Sequence, residues 1–129
     1  MILLNLTKQV TLATRVSVGR TFCQRLRGWI GRATVAEQEA LVLAPCRSVH
    51  TCFVRFPIDV VFLAADGEVV LTLPGMRPFS FSPYVRRAEL VVELAAGRLV
   101  STNTAVGDRL VFRNGEEQEC QGQSRLEWL

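Results

Sequence analysis

One histidine, His50, is the entire imidazole supply of this 129-residue chain, which rules out sites built on several histidines. The four cysteines, at 23, 46, 52 and 120, form no Cys-x-x-Cys pair and no dense framework, so the usual paired-cysteine metal and redox motifs are absent. No apolar run approaches the ~20 residues that a membrane-spanning helix requires. Met1-Ile2-Leu3-Leu4 opens apolar, but Asn5 and Lys8 interrupt it before the core of a secretory signal could form. Internal repeats and low-complexity tracts are missing as well. The expectation is a cytoplasmic protein with reduced thiols, no metal, no cofactor and no membrane partner.

Acid is lacking from residues 1–32, which carry Lys8, Arg15, Arg20, Arg25, Arg27 and Arg32. The remaining nine bases face twelve acids, so a modest net charge of +3 hides a lopsided distribution. Such a basic segment permits weak, salt-sensitive contact with phosphates but supplies no base reading, so no sequence-specific nucleic-acid partner is expected.

What is present suits one packed domain over residues 1–113, because 49% of the chain is hydrophobic and 21% charged. Residues 114–129 are polar and aperiodic and are expected to form a mobile tail. Val10, Leu12, Val16 and Val18 follow a period of two, which predicts a half-buried strand beside Ile2–Leu6. Phe22, Leu26, Trp29 and Ile30 then fall on one helical face, predicting an amphipathic helix stopped at Gly31. Residues 40–44 read as a buried strand. Ile58–Ala64 and Glu68–Leu73 read as a hairpin around Asp66-Gly67, with a type I′ turn. Ile58–Ala64 is apolar on both faces apart from Asp59, which suggests a central strand. Glu89–Leu94 and Arg109–Phe112 complete the strands, with a short helical turn between them. The fold class is therefore α+β, mainly β: a small antiparallel β-barrel or sandwich with one N-terminal amphipathic helix and short helical turns.

Chemistry concentrates between Cys46 and Asp59, a polar loop held between apolar strands. Cys46, His50, Cys52 and Asp59 are metal-ligand types, but extended chain would set Cys46 and His50 ~13 Å apart, and the spacing is not a common zinc pattern. A nucleophilic site would use the Cys46 or Cys52 thiolate, His50 as base and Asp59 as its orienting partner, giving a cysteine/histidine-dependent hydrolase or transferase. A binding module would use the Arg47 and Arg55 forks, with Arg77 in addition. His50 and Thr51 would orient the ligand beside the aromatic Phe79–Tyr84 segment, with Asp59 at the border of the site. The ligand would be small and anionic or sugar-like, or the partner a protein; this binding reading leads. A purely structural role is the competing account. His50 would tie down the loop, Asp59 would accept backbone N–H groups from residues 46–57, and Arg55 would pair with Asp59. His50 and Asp59 are expected to approach each other. Glu93 reads as a solvated strand residue, Asp108 as a turn former and Trp29 as core.

Leu43-x-Pro45-Cys46-Arg47-Ser48-Val49-His50-Thr51, followed by Arg55-x-Pro57-Ile58-Asp59-Val60-Val61-Phe62-Leu63, resembles the signature of the domain of unknown function 192 family. Leu94-Ala95-Ala96-Gly97 and Gly107-Asp108 resemble its later landmarks, and Arg25-Leu26-Arg27-Gly28-Trp29 the helix that precedes them. The likeness spans about residues 10–112. Val54 departs from the methionine usual in the family, and Cys52 from a frequent aromatic. The resemblance implies a compact, barrel-like β domain with a few short helices, and it implies no activity.

Overall fold

The computed structural model describes residues 1–20 and 29–114. The described strands are β1 (Ile2–Asn5), β2 (Val10–Ala13), β3 (Arg15–Gly19), β4 (Glu39–Leu43), β5 (Ile58–Leu63), β6 (Val69–Met76), β7 (Leu90–Ala95) and β8 (Leu110–Arg113), with the one-turn helix α1 (Arg98–Ser101) between the last two. They form two sheets, ordered β2-β1-β8 and β3-β4-β7-β5-β6.

The period-two run from Val10 to Val18 is not one strand. Thr14 and Arg15 both donate their N–H to the Gln38 carbonyl, at 3.0 and 3.1 Å, and the chain passes there from one sheet to the other. β2 pairs antiparallel with β1, whereas β3 pairs parallel with β4. Two expectations are corrected by this. The sheets are not purely antiparallel, and they do not close into a barrel, because each keeps two edge strands. The amphipathic helix expected ahead of Gly31 falls on residues 21–28, outside those described. Trp29–Gly31 form a turn in which Arg32 N–H donates to the Trp29 carbonyl. The tail expected beyond residue 114 also lies outside the described residues.

β5 and β7 are buried on both faces, as the apolar run of β5 foretold. Side chains alternate along a strand, so Val61 and Leu63 join Leu3, Leu12, Leu110 and Phe112 in the core between the two sheets. Ile58, Val60 and Phe62 pack on the opposite face beneath Trp29, Val49 and Val54. Trp29 is core, with its ring tilted against Phe56 at 6.3 Å. The β5–β6 hairpin differs from the expected type I′ turn. Only Gly67 has positive φ, at 93°, and its N–H donates to the Ala64 carbonyl. A side chain on Gly67 would collide with the Leu110 carbonyl, so the close approach of β8 requires glycine there.

Candidate binding groove and loop ribbon

Asp59 enters the site discussion from below. It stands at the start of β5 facing the inter-sheet core and is 1% exposed. Its Oδ1 accepts the Gly75 N–H at 2.8 Å, while Oδ2 accepts the N–H groups of Gly97 (3.1 Å) and Leu99 (2.8 Å). The carboxylate thus ties the bend in β6 to the first turn of α1. Asp59 does accept backbone donors, but from segments distant in sequence rather than from residues 46–57. Among the described residues no ion pair joins it to Arg55, and no hydrogen bond joins it to His50.

Above β5 the loop before it is fastened to the loop after β6. Thr51 N–H donates to the Ser80 carbonyl at 2.9 Å, Phe79 N–H to the Thr51 carbonyl at 3.0 Å, Ser82 N–H to the Val49 carbonyl at 2.9 Å and Val85 N–H to the Arg47 carbonyl at 2.8 Å. Thr51 is fully buried; its hydroxyl donates to the Arg77 carbonyl and accepts the Ser80 N–H. Its hydrogen-bonding capacity is spent inside this two-stranded ribbon. His50 pairs with Phe81 across the ribbon, ring centroids 6.2 Å apart, and its Nδ1 accepts the Cys52 N–H at 3.2 Å.

Phe53 and Phe79 are both in the left-handed region, with φ of 67° and 60°, where a side chain costs roughly 1–2 kcal/mol. They nevertheless expose their rings, 67% and 64%, and meet edge to face at 5.6 Å. Phenylalanine is an unusual choice for such backbone, which glycine adopts without strain. Between this pair and Ile30-Gly31 opens a groove of about 590 Å³, floored by Val54 and Pro78 and flanked by Arg55.

Arg55 is exposed and makes no ion pair among the described residues. Arg47 is engaged, its Nε donating to the Arg86 carbonyl and its Nη2 to Glu89, both at 3.3 Å. The Cys46 thiol donates to the Ser48 carbonyl at 3.1 Å. No disulfide joins Cys46 to Cys52. Among the described residues no hydrogen bond connects any two of Cys46, His50 and Asp59, and no group of three or more metal-ligating side chains gathers. Of the residues singled out between 46 and 59, Arg55 lies at the groove and His50 in the adjoining ribbon. Thr51 and Asp59 hold the scaffold.

Three features escaped sequence reasoning. Nothing in the local pattern marks Phe53 as exposed: it takes the left-handed position of a turn closed by the Val54 N–H on the Thr51 carbonyl, where glycine is the usual residue. Ile30-Gly31 reaches the groove only through tertiary contact. Glu93, expected on a solvated face, is 4% exposed. It lies on β7 between Leu41 of β4 and Val60 of β5, on the face that Trp29 covers. Burial pushes its carboxyl up to about 7. Val91, two residues earlier on the same face, was the available hint that this face is covered. Asp108 does close a turn with Ala105, and it does more. Burial would raise its pKa, but bonds from Asn5, Lys8 and the Ala105 N–H outweigh that and hold the carboxyl below its ordinary value.

Residues 4–112 match the family described as DUF192, uncharacterized ACR. A UPF0127 protein of Thermococcus sibiricus is 30% identical over 122 residues, covering 92% of this chain and 79% of that protein. A UPF0127 protein of Pyrococcus furiosus is 33% identical over 114 residues, covering 84% and 95%. A solved protein of unknown function from Novosphingobium aromaticivorans superposes with a TM-score of 0.76 at 17% identity, over 84% of this chain and 81% of the other. A protein from Sinorhizobium meliloti, provisionally described as a transcription regulator, gives 0.73 at 23% identity, over 84% and 88%. These two structures share the fold. No helix among the described residues is long and apolar enough to cross a membrane.

Proposed function

The chain belongs to the DUF192 family, and on that premise we propose that it is a binding module taking a small anion with a flat ring into the groove beside Arg55. The observation that carries this reading is the Phe53–Phe79 pair, two exposed rings on left-handed backbone over a groove whose cation has no ion-pair partner among the described residues. A volume of about 590 Å³ lies in the range of small-molecule sites. Arg55 offers the planar fork that suits a carboxylate or phosphate, and the two phenylalanines offer faces and edges to a ring. Aromatic carboxylates and nucleotides meet both requirements, and sugar acids and sugar phosphates, whose rings are puckered, serve as the contrast.

Ligand-observed NMR with a panel of those anions tests the proposal. Saturation transfer to at least one ring-bearing anion, lost in Arg55→Gln and reduced in Phe53→Ala, is the expected result. Absence of transfer from the whole panel at millimolar concentration, or transfer indifferent to Arg55→Gln, overturns it.

A further inference from the structure

We infer that the ribbon of residues 47–56 and 77–87 is a platform for single-stranded nucleic acid, with bases stacked on its exposed rings and phosphates on Arg55, Arg77 and Arg86. The inference rests on the groove being a binding site and names what occupies it: one nucleotide of a strand that continues along the ribbon.

Charge is the first observation. The two segments hold Arg47, Arg55, Arg77, Arg86 and Arg87 and not a single acid. Arg47 pairs with Glu89 and Arg87 with Glu68. Arg55, Arg77 and Arg86 are exposed and have no ion pair among the described residues. Three unneutralised guanidinium groups on one short ribbon call for an anionic polymer rather than a neutral partner.

Aromatic placement is the second. Phe81 and Tyr84 are 75% and 68% exposed, and neither lines the groove. A single small ligand would leave both rings in water. A strand running on from the groove would cover them, since every base has a face to stack and stacking tolerates any sequence. The spacing Arg77-x-Phe79-x-Phe81-x-x-Tyr84 repeats the basic and aromatic positions of the motif by which RNA-recognition sheets stack bases, although Pro78, Ser80 and Ser82 replace its small and apolar positions and paired loops replace its strand.

Rigidity is the third. The backbone bonds between the loops hold the rings before any ligand arrives, which limits the ordering cost of binding. Ser80 and Ser82 separate the rings; the Ser82 hydroxyl and the Ser80 backbone N–H are bonded within the ribbon. A lipid-inserting tip would carry apolar residues at those positions, so a membrane is the less favoured occupant. Stacking and phosphate contacts carry no base identity, so binding is expected to be sequence-tolerant.

Fluorescence anisotropy of the full chain with labelled uridine and thymidine octamers, an RNA duplex of equal length and uridine monophosphate tests this, alongside co-sedimentation with phosphatidylserine vesicles. An octamer of either sugar should bind about tenfold or more tightly than the monophosphate and the duplex. Phe79→Ala and Phe81→Ala should each weaken octamer binding by about tenfold, and Phe81→Tyr should retain it. Arg77→Gln should lower the slope of log affinity on log salt by about 0.7. Both rings are solvent-exposed, so the variants are expected to fold, which circular dichroism checks. Monophosphate binding with no gain for the octamer overturns the platform and leaves the groove reading standing. If neither octamer, nor the monophosphate, nor any anion of the panel binds, both readings fall. Octamer binding insensitive to Phe79 and Phe81, or sedimentation with vesicles in the absence of octamer binding, also overturns the platform.

Discussion

Asp59 Oδ2 accepts the backbone N–H of Leu99 at 2.8 Å, forty residues along the chain. With the Gly97 and Gly75 donors, this makes one buried carboxylate the joint between β5, β6 and α1. Bonds to an ionised acceptor are stronger than neutral ones, and a buried donor stripped of its acceptor is costly. Asp59→Asn replaces one acceptor oxygen with a donor that meets N–H groups. We expect a loss of about 2–3 kcal/mol, read as a lower denaturant midpoint at unchanged slope. A midpoint within error of wild type would refute this role.

Glu93 gives the fold an unusual pH dependence. Unfolded, its carboxyl ionises near its ordinary value of 4.5; folded, burial holds it at about 7. Between those values the folded chain binds more protons, so stability falls as pH rises from about 4.5 to about 7 and levels off above that. The loss is on the order of 3 kcal/mol. Glu93→Gln should remove this slope, which urea titrations at pH 5 and pH 8 would reveal. Parallel pH profiles for wild type and variant would defeat the prediction.

Phe53 is placed for exposure at a backbone conformation that glycine adopts freely. Phe53→Gly should therefore leave the fold intact or strengthen it, by up to about 1 kcal/mol, while weakening ligand capture in the groove. Thermal melts and anion titrations on the same sample check the two halves. A destabilised variant would mean that the ring packs for stability instead.

His50 stabilises the ribbon through the Cys52 N–H bond and its ring contact with Phe81. His50→Ala should cost about 1 kcal/mol, the usual scale for one such hydrogen bond. An unchanged denaturant midpoint would move His50 from scaffold to ligand contact.

The strand content was legible because burial writes itself into residue periodicity. The two-faced apolar run at β5 announced a central strand, and Asp59 stood out as its polar exception. Its partners were not legible, because Gly75, Gly97 and Leu99 meet it only after the sheets assemble. The Val10–Val18 alternation predicts one strand where the structure has two, for a similar reason. A period of two fixes which side chains share a face, not where the chain changes sheets, and the Gln38 carbonyl that marks the change at Thr14 and Arg15 is remote in sequence.

By itself the sequence determined a mainly β chain, the polar stretch between Cys46 and Asp59 that flanks the groove, and likeness to one family, since these depend on residue type and short-range spacing. Tertiary structure alone decided that Thr51 and Asp59 are spent on scaffold and that Glu93 is buried. It also decided that Phe53 meets Phe79 over a groove beside Arg55. The physical reason is that exposure and hydrogen-bond partnership belong to pairs of distant segments, and local pattern carries no record of which segments will meet.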